Sequence, residues 1–274
     1  MSLLNIDTEK CNKCNVCLVS CPVSIISLNA DNKHPEVIKD KESLCIYCGH
    51  CESICPEDAL THSLSQHALE NASEKNKLVN PSELAFYMKQ RRSIRNFKKE
   101  PVEKNKIEQA LDVVRYSPTG HNRQLNQWLA LYDTKKVELL TKTTIEWMRK
   151  LITLKPEIAE RWGFRVLVTM YDRGYDRIGR NAPHVMFCYS PSSYPVGQLD
   201  AIIATTHLDL YLPSLGVGTC WAGYLNMAIQ QSKEMKDIIG LDENSTVHTS
   251  LMIGYPKYDY HKIPNRKTIT VGID

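Results

Sequence analysis

Eight of the ten cysteines lie within the first 62 residues, in two matching runs. Cys11, Cys14, Cys17 and Cys21 recur as Cys45, Cys48, Cys51 and Cys55, each displaced by 34 residues, and Pro22 and Pro56 follow the last cysteine of each run. Short apolar pieces come next in both copies: Val23, Ile25 and Ile26, then Ala59 and Leu60. Two copies are too few for a solenoid, so the repeat describes a small pseudo-symmetric module. The opening MSLLNIDTEKC has no basic stretch followed by an apolar one, so it does not read as a secretory signal. No apolar run approaches the roughly 18 residues of a membrane-spanning helix. A cytoplasmic protein is expected, and there cysteines serve as metal ligands more often than as disulfides.

The run Cys-x2-Cys-x2-Cys-x3-Cys-Pro, present twice, resembles that of bacterial two-cluster ferredoxins, as does Cys55-Pro56-Glu57-Asp58-Ala59-Leu60. In that run the fourth cysteine ligates the other cluster. The resemblance therefore implies one 4Fe–4S cluster on Cys11, Cys14, Cys17 and Cys55, and a second on Cys45, Cys48, Cys51 and Cys21. Three closely spaced thiolates on one tight loop suit three iron corners of a cube, and the symmetric partner supplies the fourth. Zinc usually takes two separated pairs, which leaves the third and fourth cysteines of each run unexplained. Asn12, Lys13, Tyr47 and His50 lie inside the loops and shape the cluster surroundings. Such domains carry single electrons and do no chemistry on organic substrates, so a redox partner is implied.

The 274 residues suit two domains of about 100–200 residues each. The expected division is a two-cluster domain over 1–62, a polar linker over 63–80 (SLSQHALENASEKNKLVN) and a second domain over 81–274. The net charge of +3 hides an asymmetry: residues 1–62 carry nine acids against five lysines, and the remainder carries 29 basic against 22 acidic residues. Ordinary solubilising charge accounts for this; the alternative is electrostatic docking of the two parts, with the basic one binding an anion such as a cofactor phosphate. No basic run interleaved with aromatics points to nucleic acid.

In the second part, Asn80-Pro81-Ser82-Glu83 predicts a helix start with Ser82 as cap, and Leu84, Phe86, Tyr87 and Met88 give that helix an apolar side. Ile107, Ala110, Leu111 and Val114 follow helical spacing. Buried strands are predicted over 128–132, 184–189 and 250–253, and helices over 134–153 and 199–212. The last helix is apolar around much of its circumference, which predicts a domain centre or a subunit interface. Helices alternating with few strands indicate an α+β fold.

Four short motifs stand in order along this part. Arg91-Arg92-Ser93-Ile94-Arg95-Asn96-Phe97 offers guanidinium groups and a hydroxyl suited to a phosphate. Ser117-Pro118-Thr119-Gly120-His121-Asn122-Arg123-Gln124 follows, and then Gly216-Val217-Gly218-Thr219-Cys220-Trp221-Ala222-Gly223. The third lacks the last glycine of a dinucleotide fingerprint and follows a helix instead of a strand, so it fails that reading. The fourth comprises Gly254-Tyr255-Pro256 and Ile263-Pro264-Asn265-Arg266-Lys267. Together they resemble the nitroreductase family over about residues 81–274. Where the family usually has proline after the glutamine of the second motif, Leu125 stands here. The resemblance implies a mixed sheet flanked by helices, a homodimer, and FMN at the dimer interface. Arg91, Arg92, Ser93, Arg95 and Arg266 or Lys267 would hold phosphate and ribitol. Pro118, Thr119, Gly120, Asn122 and Gln124 would lie against the flavin, as would Cys220, Trp221, Ala222 and Gly223.

Candidates for chemistry beyond the flavin are few. His121 and His184 are read either as proton donors or as hydrogen-bonded structural residues. Cys220 is either redox-active or a small buried hydrophobe, and Cys188, within a strand, is core. Arg173, Arg177 and Arg180 are read as solvated surface, the alternative being a pocket for an acidic substrate. Trp147 and Trp162 are read as packing residues. The combined expectation is an FMN-dependent oxidoreductase fed through its two clusters by an external low-potential donor such as a ferredoxin. Its acceptor would be a nitroaromatic, quinone or enone. The alternatives are an NAD(P)H-dependent reductase with accessory clusters and a non-catalytic electron-storage or redox-sensing protein.

Overall fold

A computed structural model describes residues 3–63 and 79–273. Most of the predicted linker thus lies outside the described residues. The chain divides into two compact units, Met1–Val79 with His121–Arg123, and Asn80–Gly120 with Gln124–Asp274.

The first unit is built on the cysteine repeat. Strands β1 (Leu4–Ile6) and β4 (Leu60–His62) pair antiparallel, as do β2 (Ile26–Leu28) and β3 (Pro35–Val37), and α1 (Val16–Ser20) and α2 (His50–Ser53) carry the third cysteines. Leu3, Leu4, Ile25, Ile26 and Leu60 form its small core. The 34-residue repeat is written into the backbone: Lys13 and Tyr47, Asn15 and Gly49, and Ser24 and Asp58 all have positive φ. A left-handed residue at each of these places bends the ligand loop back on itself, and a Cβ there costs strain. Only Gly49 avoids that cost.

The second unit opens with α3 (Pro81–Gln90), whose start is capped by Asn80, accepting from the Ser82 amide at 2.9 Å, and not by Ser82 itself. Proline at the first helical position leaves Asn80 the flanking place where a cap works. Leu84, Phe86 and Met88 are exposed on this helix. The expected helix after Pro101 is α4 (Lys104–Val114), which buries Ile107, Ala110 and Val114. The predicted strands are β5 (Gln127–Leu131), β6 (His184–Pro191) and β8 (Ser245–Gly254). They join β7 (Gly218–Trp221) in a sheet of order β5-β6-β8-β7 with antiparallel ladders. One parallel bridge, Ser93 to Thr219, adds the first motif to the outer edge of β7.

Helices cover both faces. On one side, α5 (Thr134–Leu154) is capped by Asp133 and buries Val137, Leu140, Ile145, Met148 and Leu151 at helical intervals. It packs against α6 (Pro156–Arg161), α7 (Phe164–Asp172), α9 (Gly223–Ile229) and α10 (Lys233–Ile239). On the other side, α8 (Gly197–Tyr211) packs on β8 through Ala201, Ala204 and Leu208. Its opposite side leaves Leu199 and Ile202 exposed. No described helix is long and apolar enough to cross a membrane.

Candidate functional site

In the first unit the eight cysteines separate into two groups. One hollow is lined by Cys11, Cys14, Cys17 and Cys55, the other by Cys21, Cys45, Cys48 and Cys51. Each therefore gathers three cysteines of one run and the fourth of the other. The donor set fits iron–sulfur clusters: four thiols surround each hollow, with apolar neighbours such as Ile6 and Leu60 or Ile25 and Ile26. Burial raises the thiol pKa of Cys17 and Cys45 and pushes Cys51 up to about 11. Free of metal these groups keep their protons, and ligating iron would displace them. The backbone N–H of Ala59 donates to Cys55 Sγ at 3.3 Å, and that of Tyr47 donates to Cys45 Sγ at 3.4 Å.

In the second unit the first and third motifs come together. The Ile94 amide donates to the Thr219 carbonyl at 2.7 Å, and Lys98 and Lys257 amides bond Tyr255 and Asn96 carbonyls. The segment 93–98 is thereby stitched between β7 and the stretch after β8. A cavity of about 390 Å³ opens beside it, lined by Ser93, Arg95, Cys220, Trp221, Ala222 and Gly223 from the motifs. The size is typical of a cofactor or ligand pocket. A Cβ added to Gly223 would meet nothing within 4 Å, so the α9 start presents open backbone to this space. The third motif forms a strand and a helix start, because Gly218 to Trp221 pair with β8 and Gly223 opens α9.

Asp209, buried on α8, organises the motif residues. It pairs with Arg91 Nη1 at 3.3 Å, accepts from Trp221 Nε1 at 3.3 Å and accepts the Thr219 hydroxyl. Arg92 lies over the Tyr260 ring at 5.8 Å. Two arginines outside the motifs also line the cavity, Arg177 and Arg180, as does Trp162. Arg180 is half-buried, which corrects its reading as solvated surface, and Trp162 faces the cavity where packing was expected; Arg177 is exposed as expected but borders the same space, Arg173 is exposed, and Trp147 packs on Phe164. The cause is the loop turn: Asp176 accepts three backbone amides, from Ile178, Gly179 and Asn181, and Arg180 and Asn181 take positive φ. Burial, with Arg95 and Arg177 nearby, lowers the Arg180 pKa. Such crowded guanidinium groups favour an anion.

The second motif does not line this cavity. Gly120 N donates to both Asp200 carboxylate oxygens, at 3.1 and 3.2 Å, and Tyr194 Oη donates to Asp200 at 2.6 Å. Gln124 N donates to Thr119 Oγ1 at 3.1 Å, and Pro118 and His121 are exposed. His121, Asn122 and Gln124 all have positive φ. The Asn122 amide donates to the Ile46 and Tyr47 carbonyls within the first unit. Arg266 and Lys267 are exposed on an irregular stretch, and Arg266 Nη1 donates to the neighbouring Asn265 carbonyl at 3.2 Å.

The remaining candidates are structural in character. His184 is fully buried: Nε2 accepts from the Val102 amide at 3.0 Å, Nδ1 lies 2.8 Å from the Tyr132 carbonyl, and the ring stacks on Tyr132. Cys188 is buried, its thiol pushed up to about 12. Cys220 touches the cavity, but burial raises its pKa against the pull of Arg180, Arg95 and Arg91.

Comparison with known proteins agrees with both halves. Residues 88–255 match the nitroreductase family and residues 10–59 match the 4Fe-4S dicluster domain. A ferredoxin of Methanothermococcus thermolithotrophicus is 33% identical over 60 residues, covering 21% of this chain and 93% of the ferredoxin. An FMN-bound nitroreductase from Bacteroides fragilis aligns with TM-score 0.55 and 20% identity, over 71% of this chain and 97% of that one. Another, from Desulfitobacterium hafniense and also with bound FMN, aligns with TM-score 0.56 and 19% identity over 71% and 100%.

Proposed function

The chain belongs to the nitroreductase family and carries a 4Fe-4S dicluster domain ahead of that region; from this premise we propose that it is an FMN-dependent oxidoreductase that takes electrons through two 4Fe–4S clusters and reduces a small organic acceptor. We take the clusters to lie in residues 1–62, followed by a linker over 63–80, and the flavin in 81–274. The observation that carries the reading is the cavity in which Ser93 and Arg95 meet Trp221, Ala222 and Gly223, in a chain that also gathers two sets of four cysteines. When bound, FMN supplies hydride or single-electron chemistry; the protein supplies binding and orientation. Ser93, Arg91, Arg92 and Arg95 hold phosphate and ribitol, and the open backbone at Ala222 and Gly223 admits the ring. Asp209 holds Arg91 and Trp221 in place. Arg177 and Arg180 give the pocket a positive wall that favours anionic acceptors among nitroaromatic, quinone or enone compounds. Pro118 to Gln124 and the pair Arg266 and Lys267, none of which lines this cavity, complete the flavin site from a second copy in a homodimer. The exposed Leu199 and Ile202 on α8 supply an apolar face for that pairing. A reducing cytoplasm keeps the thiols available for iron.

The test begins with anaerobically purified protein. Iron and sulfide near eight each per chain, with one flavin, are expected for the two-cluster motif. Stopped-flow bleaching of the flavin by dithionite or a reduced ferredoxin, compared with NADH and NADPH, identifies the donor. C11S or C45S should abolish turnover from the ferredoxin while leaving flavin bound. Unchanged turnover in both variants, or direct bleaching by NAD(P)H at catalytic rates, refutes the relay.

A further inference from the structure

The two halves of the first unit repeat in their cysteines, their positive φ values and their strands: β2 at Ile26–Leu28 corresponds to β4 at Leu60–His62 under the same 34-residue displacement. The last residues of these strands break the symmetry. His62 Nε2 lies 3.6 Å from Cys45 Sγ, whereas its counterpart Leu28 has no donor to offer Cys11. His62 is only 3% exposed, and the Tyr47 ring stands edge-on against it at 5.6 Å, so its orientation is set by packing. The backbone does not cancel the difference. The main chain supports both sets alike: the Ala59 and Tyr47 amides donate to Cys55 and Cys45, and the equivalent Leu18 and Glu52 amides act on Cys17 and Cys51.

Resting on the two-cluster reading above, we propose that His62 is a positioning residue that makes the centre held by Cys21, Cys45, Cys48 and Cys51 the more easily reduced of the two. A cysteinate bound to iron carries no proton, so in this pair the imidazole must donate. Reduction adds negative charge to the iron–thiolate body, and an N–H directed at a ligand sulfur stabilises that charge, raising the potential. With both clusters bound, a single electron would pass from the Cys11 set, whose iron would be oxidised by one, to the Cys45 set, whose iron would be reduced by one, with no proton transferred. The competing influence is water: Cys14 is the exposed cysteine of the eight, and solvent near it favours added charge on the other set. The two effects have opposite sign, so a Cys11 set that reduces first would overturn the proposal.

The deciding experiment is an EPR-monitored potentiometric titration of the full-length, cluster-loaded protein. Wild type is expected to reduce in two steps. H62L should lower the more positive step enough to change electron partition at least tenfold, about 59 mV for one electron, and leave the other in place. H62Q, which keeps an N–H donor, should recover much of the difference. Iron and sulfide contents equal to wild type establish that the clusters remain assembled. Potentials that do not change in H62L, or two steps that shift together, overturn the inference. If H62L does not assemble, pulsed EPR on protein labelled with 15N-histidine replaces it: a nitrogen coupling to the first-reduced centre, lost in H62Q, is expected, and its absence in wild type overturns the proposal. A wild-type protein with no 4Fe–4S signal defeats the two-cluster reading instead.

Discussion

Two glycines of one motif should respond oppositely to the same methyl group. At Gly218 an added Cβ would lie 2.6 Å from Ile94 Cγ1, 3.0 Å from Pro256 Cγ and 3.1 Å from Ile94 Cβ. Rotating the Ile94 side chain removes the first clash but neither of the others, so the chain around Ile94 must move. Overpacking of this kind costs about 1–3 kcal/mol. For a domain of roughly 150–250 residues, each kcal/mol shifts the unfolding midpoint by about 2–4 °C, so G218A should lower it by about 2–12 °C. Ile94 lies between Ser93 and Arg95, so flavin affinity should fall with it. Loss of one hydrogen bond to a charged group costs about 1.5–3 kcal/mol, about tenfold or more in Kd. Gly223 is the control: its Cβ would meet nothing, and its φ lies outside the left-handed range. G223A should leave the flavin-free midpoint unchanged or raise it slightly, because alanine restricts the unfolded chain. Its methyl group would nevertheless enter the space assigned to the ring. The assay is a thermal scan of flavin-free protein together with an FMN titration followed by flavin fluorescence. Wild-type FMN affinity in G223A would show that the ring does not lie over the start of α9; wild-type stability in G218A would refute the contact argument.

Three further outcomes follow from the same geometry. D209A strands the buried Thr219 hydroxyl and releases the partly exposed Arg91 and Trp221 groups, which water can serve; a loss of about 2–3 kcal/mol is expected, measured by thermal unfolding, and a loss near zero would contradict the assigned node. Burial lowers the pKa of His184 and of His248. The native rings thus hold fewer protons than the unfolded ones, which titrate near 6.5, so stability should be full above about pH 6.5 and fall as the pH drops below it. Nitrogen NMR should show the His184 ring less protonated than a free imidazole at about pH 6, and a ring more protonated than that would refute the assignment of Nε2 as acceptor. Cys220, buried and raised in pKa, should resist iodoacetamide in native protein at neutral pH, and C220A should keep kcat unchanged; a large fall in kcat with FMN still bound would restore it as a reactive thiol.

What the sequence conveyed best was anything repeated or periodic. The cysteine spacing specified which thiols share a hollow, and the helical spacing at Ile107, Ala110 and Val114 or along α5 specified the buried sides. Less legible were features created by tertiary contact. Gly218 to Trp221 is too short, and too closely flanked by Gly216 and Gly223, to announce itself as a strand, and becomes one by pairing with β8. The orientation of Arg177 and Arg180 depends on Asp176 gathering three amides, which no pattern of charges reveals. Asp200 and Asp209 lie in an apolar helix and read as interruptions of its pattern, yet each anchors a motif from another part of the chain. Helix α7 was hidden because Gly163 and the basic loop after it break the periodic signal on either side.

The bridge between Ser93 and Thr219 has a bearing on how the protein is made. Its two strands are distant along the chain, and such non-local pairings form late because loop closure must be paid for first. An emerging polypeptide therefore exposes the arginine segment long before its sheet edge exists. Flavin capture should then be the last event of maturation, making cofactor occupancy a sensitive report on whether newly synthesised chains have reached their native topology.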